Sequence, residues 1–487
     1  MSSPVPVDRR HAASRPGPLT DTAKALAASR VLADQAFSRA AGAPLVHGNA
    51  VRLLKDGAEN YPAWLEAIAS ARETVHFECY IVHDDEVGLR FADALIARAR
   101  EGVHVRVIYD WLGGLTTTSK RFWRRLRENG VEVRCFNPPR LDEPLGWIAR
   151  DHRKSIVVDG RIAFVTGLCI GKHWEGWPER GLSAWRDTGV EIRGPAVADV
   201  GRAFTEAWAA CGPPLPPEER APAPPAPEGD IALRVVAATS GTAGLYRLDP
   251  LIAALARSTL WLTDAYYAGT PTYVQALAAA ARDNVDVRLL VPGRGSDIAI
   301  MQTISRAGYR PLLEAGVRVF EWNGPMLHAK TAVADARWSR VGSTNLNPAS
   351  WMGNWELDVV VEDERFGRAM EAMYSEDLTS ATEILLERRQ KVRAIDDRRT
   401  PRRRGAGGGA TRAAAGALRL GNAIGSAILA RHVTGPAERR LFVQGGGLLG
   451  LVAVVAALWP PVLAWPIAVL CLWFSLALLL RAGRRPT

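Results

Sequence analysis

Cysteine is scarce in this chain, and the five present (Cys79, Cys135, Cys169, Cys211 and Cys471) are scattered, odd in number and without metal-ligand spacing. That argues against a disulfide framework or a thiolate metal site and for reduced thiols in a cytosol-facing protein. Aromatic residues make up only 7% of the sequence, and no base-stacking pattern stands out among them. The opening stretch MSSPVPVDRRHAASRPGP has no apolar h-region, so a cleaved signal peptide is not expected. Acidic residues are outnumbered: 61 Lys and Arg against 51 Asp and Glu leave a net charge of +10. Anionic partners follow, and charge alone does not separate nucleic acid from an anionic lipid surface.

What is present bounds the architecture. A hydrophobic fraction of 48% excludes global disorder, and 487 residues suggest two or three folded units. Residues 1–45 read as a polar leader followed by an Ala-rich helix from about Asp21 to Ala41. A Pro-rich linker at 211–230 and an Arg-then-Gly-rich break at 396–412 flank two segments of similar size, 46–210 and 231–390. These segments resemble each other. ARETVHFECY (71–80) matches ARSTLWLTDAY (256–266), REGVHVRVI (100–108) matches RDNVDVRLL (282–290), and NGVEVRCF (129–136) matches AGVRVFEW (315–322). Each reads as strand, helix, strand, which implies a duplicated α/β domain with a largely parallel sheet between helices and a pseudo-two-fold axis.

The C-terminal part differs. Two apolar runs, 441–459 and 462–480, flank Pro460-Pro461, with Arg439 and Arg440 before them and Arg481, Arg484 and Arg485 after. At ~1.5 Å per residue each run spans about 28 Å, close to a hydrocarbon thickness. The expectation is a membrane hairpin with both ends cytoplasmic; the alternative is a buried helical hairpin of a soluble domain. Residues 391–440 form a basic linker. In it, Arg398, Arg399, Arg402, Arg403 and Arg404 offer either an anionic head-group site or a solvated surface, and 417–433 offers either an interfacial or a core helix.

The chemistry lies in a doubled pattern. DHRKSIVVDGRIAFVTGLCIGKHW (151–174) and MLHAKTAVADARWSRVGSTNLNPAS (326–350) place His152, Lys154 and Asp159 at the same spacing as His328, Lys330 and Asp335. On a strand, residues i and i+2 share a face, so each half presents an imidazole beside an ammonium. Meeting across an interface, the halves would build a cationic pocket that a phosphate relieves. One imidazole could attack phosphorus while the other protonates the departing alkoxide, with the lysines, Ser343 and Asn345 holding the non-bridging oxygens. No metal or cofactor is required by this scheme. Such histidines need an acceptor on the far nitrogen, and Asp187 and Glu356 follow the two motifs at similar distances.

Two HxKxxxxD motifs with GSTN after the second resemble the phospholipase D superfamily, and HRKSIVVDGRIAFVTG, WRDTGVEIRGPAV, LHAKTAVAD and VGSTNLNPAS…NWEL look most like bacterial cardiolipin synthases. The resemblance covers roughly 46–390. It implies duplicated α-β-α sandwich halves and phosphatidyl transfer through a phosphohistidine. It also implies phosphatidylglycerol as acceptor, phosphatidylglycerol or phosphatidylethanolamine as donor, and a bacterial inner membrane location with a cytoplasmic catalytic domain. By the same resemblance His152 is the nucleophile and His328 the acid–base. Lys154, Lys330, Ser343 and Asn345 then bind phosphate, Asp187 and Glu356 orient the histidines, and Asp159 and Asp335, members of the catalytic motif, are more structural than chemical. Thr166, Gly167 and Cys169 depart from the family's first-half pattern, and Cys169 cannot donate as an amide does, so a weaker phosphate grip is expected there.

Competing readings are hydrolysis to phosphatidic acid, synthesis of another phospholipid, a nucleic-acid phosphodiesterase, and a membrane scaffold on a decayed enzyme. The apolar runs argue against a nucleic-acid partner, and complete His-Lys-Asp sets argue against the scaffold. Trp174, Trp177 and Trp185 could line a lipid entrance, with at least two of them expected to be buried. His173 is expected to play no part.

Overall fold

A computed structural model describes residues 34–140, 148–220, 223–386 and 392–394, with isolated positions between 450 and 473. The leader before residue 34, the Arg cluster, the 417–433 stretch and nearly all of the two apolar runs lie outside the described residues. Among the described residues no helix is long and apolar enough to cross a membrane.

The strands are β1 (Val46–Lys55), β2 (Thr74–Cys79), β3 (His104–Asp110), β4 (Glu132–Phe136), β5 (Lys154–Val158), β6 (Ile162–Thr166), β7 (Thr188–Arg193) and β8 (Ile231–Ala238). The second half adds β9 (Thr259–Thr263), β10 (Asp286–Pro292), β11 (Arg318–Trp322), β12 (Thr331–Ala334), β13 (Trp338–Gly342) and β14 (Glu356–Glu362), then β15 (Ala381–Leu386) and β16 (Val392–Ala394). Among the described residues they join in one sixteen-stranded sheet ordered β4-β3-β2-β5-β6-β7-β1-β8-β14-β13-β12-β9-β10-β11-β15-β16. Adding seven to each strand of β1-β7-β6-β5-β2-β3-β4 gives β8-β14-β13-β12-β9-β10-β11, so the duplication read in the sequence is a duplication of topology. β1 and β8 meet in an irregular antiparallel seam. There the buried Asn49 donates to Val46 O and Ile231 O and accepts from Ala196 N.

The expected largely parallel sheet is corrected. Only β2-β3-β4 and β9-β10-β11 run parallel, while β5, β6 and β7, like β12, β13 and β14, pair antiparallel. The cause is local. Asp159 and Gly160 take φ of 51° and 62°, and Asp335 and Ala336 take 51° and 49°. Tight left-handed turns of this kind join only antiparallel neighbours.

Strand alternation divides the core. On β5, Ile156 and Val158 face a cluster holding Trp64, Phe91 and Trp123, whereas Val157 faces a different cluster. That second cluster is shared between halves. Val165, Val190, Leu233, Val341 and Val359 pack there with Val200 of helix Val197–Ala210 and Phe366 and Met370 of helix Glu364–Leu378. Residues 34–41 are helical, and Phe37 and Ala41 pack on the second half's outer core.

Candidate active site

Each HxK segment enters its strand beside a segment of the other half. Asp151 bridges Trp355 and Arg186 bridges Leu327, each in parallel. His152 N donates to Trp355 O at 2.9 Å, and His328 N donates to Arg186 O at 2.7 Å. The residue after each bridge partner is a carboxylate. Glu356 thus reaches His152 Nδ1 at 2.9 Å, and Asp187 reaches His328 Nδ1 at 2.7 Å. Sequence order puts each carboxylate behind the histidine of its own half; the fold exchanges them. Arg186 locks the exchange, because its guanidinium donates twice to Asp377 of the second half, at 2.7 and 2.8 Å.

The groups are almost dry. His152 and His328 are 8% and 5% exposed, and Lys154 and Lys330 only 2% and 1%. Each lysine folds back to the carbonyl oxygen of its own histidine. Lys330 Nζ also lies 3.0 Å from His328 Nδ1. Burial, reinforced by the charges of Lys330 and Lys154, holds His328 down to about 4, while Asp187 pulls it the other way. Burial lowers Lys330 to about 8, with Asp187 opposing and Lys154 adding to the fall. Lys154 therefore bears on both second-half groups, and the two lysines and two imidazoles cluster in one site. A bound anion would relieve that cluster.

The carboxylates differ. Burial pushes Glu356 up to about 7 against the pull of Lys154 and the Ser343 hydroxyl. Burial also acts on Asp187, but His328 and Lys330 outweigh it and hold the carboxyl below its ordinary range.

Several expected roles change. Ser343 Oγ donates to Glu356 Oε2 at 2.6 Å and accepts from Leu357 N at 2.9 Å. A hydroxyl has one proton, so Ser343 holds the orienting carboxylate rather than a phosphate. Asn345 Nδ2 makes a 3.5 Å contact to Ser350 Oγ, which leaves a second N–H for a ligand. Asp159 and Asp335 are not in the pocket. They sit at the far ends of β5 and β12, on the order of 15 Å from the lysines at ~3.3 Å per residue. Asp159 accepts from the backbone of Arg72, Glu73 and Thr74 at 2.8–2.9 Å, and Asp335 accepts from Arg257, Ser258 and Thr259 at 2.7–2.9 Å. They fasten the turn to the start of the neighbouring strand. Of the three tryptophans only Trp174 is buried; Trp177 and Trp185 are half-buried. His173 packs against both of these.

Sequence reasoning missed Tyr80 and Tyr266. Tyr80 meets His152 edge-on at 4.8 Å with Lys154 Nζ 5.1 Å from its centroid, and Tyr266 meets His328 at 5.9 Å with Lys330 Nζ at 5.8 Å. A signal exists, since the matched segments FECY and TDAY both end in tyrosine.

A family model described as "Cardiolipin synthase, PLD-like domain" matches residues 64–208 and 251–378. Cardiolipin synthase A of Pseudomonas aeruginosa (strain LESB58) is 34% identical over 367 residues, covering 74% of this chain and 73% of its own. A cardiolipin synthase of Alkalihalophilus pseudofirmus is 32% identical over 348 residues, covering 70% and 68%. Among solved structures, a phosphatidylserine synthase of Haemophilus influenzae Rd KW20 is similar in fold, with a TM-score of 0.55, 15% identity and coverage of 74% of this chain and 91% of that one.

Proposed function

The chain belongs to the cardiolipin synthase family of phospholipase D-like proteins, and we propose that it is a phosphatidyltransferase that makes cardiolipin from two phospholipids. The observation that carries this is the pair of crossed dyads, His152 with Glu356 and His328 with Asp187, around Lys154 and Lys330. One imidazole in such a site can hold a covalent phosphoryl group while the other moves the proton.

In the first step Nε2 of His152, the nitrogen turned away from Glu356, attacks the phosphorus of phosphatidylglycerol. A P–N bond forms, the P–O bond to the head group breaks, and His328 gives the leaving alkoxide its proton. In the second step the hydroxyl of another phosphatidylglycerol attacks phosphorus, passes its proton to His328 and displaces His152. Two phosphatidylglycerols become cardiolipin and glycerol; with phosphatidylethanolamine as donor, ethanolamine leaves instead. Lys154, Lys330 and the free N–H of Asn345 take the non-bridging oxygens, where the developing charge is greatest. Glu356 and Asp187 each accept Nδ1–H and keep Nε2 facing the substrate.

Two lines support a membrane setting: phospholipid substrates reside in bilayers, and residues 441–480 carry two long apolar runs flanked by arginines. We place these as a hairpin in a bacterial inner membrane, with 46–210 and 231–390 as cytoplasmic catalytic halves joined by the 211–230 linker. The test is incubation of the detergent-solubilised full chain with labelled phosphatidylglycerol, with and without phosphatidylethanolamine. Cardiolipin that disappears in H152A and H328A is expected. Phosphatidic acid as the sole product would replace transferase with hydrolase.

A further inference from the structure

The two halves hold their orienting carboxylates by different devices. Backbone register aligns the halves: Thr166 opposes Gly189 as Gly342 opposes Asp358, and Gly167 N donates to Thr188 O as Ser343 N donates to Leu357 O. Gly167 therefore occupies the station of Ser343. In the second half the Ser343 hydroxyl holds Glu356. In the first half no side chain fits at that station, because a Cβ on Gly167 would stand 2.2 Å from Asp187 Oδ1.

The missing donor comes from elsewhere in the chain. Trp174 Nε1 donates to Asp187 Oδ2 at 3.0 Å, on the same oxygen that receives His328 Nδ1 at 2.7 Å. The indole is 1% exposed and meets the His328 ring edge-on, with centroids 5.5 Å apart. Its own position is fixed on two sides. A Cβ on Gly57 would come within 2.2 Å of Trp174 O, so glycine there leaves the room. Tyr61 Oη donates to Cys169 O at 2.7 Å and accepts from Gly171 N at 3.2 Å, pinning the turn that leads into Trp174. Asp56 completes the clamp by accepting from Asp187 N at 2.8 Å.

We infer that Trp174 is the positioning residue of the His328–Asp187 pair, doing in the first half what the Ser343 hydroxyl does in the second. This rests on the phosphoryl-transfer reading of the site. The consequence is electrostatic. The indole N–H draws charge from Oδ2 and so limits how strongly Asp187 favours the protonated His328 ring. Removing that donor makes Asp187 more basic and raises the pKa of His328. Whether His328 serves as acid or base in the limiting step, its pH limb moves upward.

Two substitutions separate hydrogen bonding from packing. W174F keeps an aromatic ring and loses the N–H; W174Q loses the ring and keeps an N–H donor. The full chain is assayed for lipid transfer and for turnover of a soluble diester, bis(4-nitrophenyl) phosphate, across pH. In W174F we expect kcat about tenfold lower, KM within about twofold, and the His328 limb displaced upward, as for loss of an orienting partner. In W174Q the limb is expected nearer to wild type than in W174F, even if activity is lower. A W174F limb at the wild-type position, or a W174Q limb displaced further than that of W174F, would overturn the assignment. Turnover of the diester without lipid transfer would overturn the lipid reading instead, and the limb positions would still decide the role of Trp174.

Discussion

His328 Nδ1 lies 2.7 Å from Asp187 Oδ2, and the two residues stand 141 positions apart in opposite halves of the chain. His152 and Glu356 repeat the relationship over 204 positions. Neither half owns a complete histidine–carboxylate pair, so the seam between halves is itself part of the active site.

That arrangement predicts strong coupling across the halves. E356Q is expected to lower kcat roughly 10–100-fold, and H152A at least ~10³-fold. The double variant should cost little more than H152A alone, because Glu356 acts through His152. A double-mutant cycle on transfer rates measures this. Pairing within each half would instead couple Glu356 to His328.

The motif aspartates should behave as turn fasteners. D335A loses three backbone hydrogen bonds at an edge of the fold remote from the lysines. We expect about 1–3 kcal/mol of destabilisation, read as a drop of several degrees in Tm. The folded fraction should keep kcat within about threefold, since loss of this turn does not touch the pocket. The same turn allows a gain. Ala336 holds φ of +49°, so A336G should raise stability by about 1 kcal/mol, the left-handed penalty being larger than the entropy cost of glycine.

Buried carboxyls give the second half a defined pH response. Burial raises Asp264 and Glu356 to about 7, and Asp249 and Asp358 to about 6. Unfolded, these groups titrate near 4. Between those values the folded state binds more protons, so their contribution is full below about pH 4 and is lost as pH rises to about 7. E356Q carries no charge at any pH. Its Tm should therefore match wild type near pH 4 and exceed it near pH 8, with kcat lowered roughly 10–100-fold at both. A Tm difference independent of pH would contradict the assigned shift.

Cys169 stands where the second half has Asn345, within the same turn. On the proposed reading the phosphate grip falls to Asn345. N345A should raise KM or lower kcat by about tenfold, whereas C169A should change either by less than about threefold, as for one charge-assisted hydrogen bond against none. Steady-state kinetics on the two variants decide it.

Much of this fold and site is legible in the sequence. Val-rich alternation marks β5, β7, β12 and β14, and two copies of HxKxxxxD locate both imidazoles and both lysines. Asp187 and Glu356 are legible as acceptors because they enter strands just after the motifs. Their partners are not, because the exchange depends on bridges from Asp151 to Trp355 and from Arg186 to Leu327, which no local pattern encodes. The antiparallel hairpins stay hidden when βα repeats are read without weighing the Asp159-Gly160 and Asp335-Ala336 turns. Ser343 misleads for a chemical reason: a hydroxyl near a phosphate site looks like a phosphate ligand until its single proton is traced to Glu356. Trp174 looks like packing because an indole N–H has a partner only once the chain is folded.

The central claim is that a phosphatidyl group passes through His152 in a site shared by both halves. The most direct measurement mixes the full chain with labelled phosphatidylglycerol, quenches in mildly alkaline denaturant to preserve a P–N bond, and maps the label by mass spectrometry. The expected result is label on the peptide bearing His152, absent in H152A and discharged by excess acceptor lipid as cardiolipin forms. Turnover with label on His328 would contradict the claim, as would cardiolipin formation without label on either histidine.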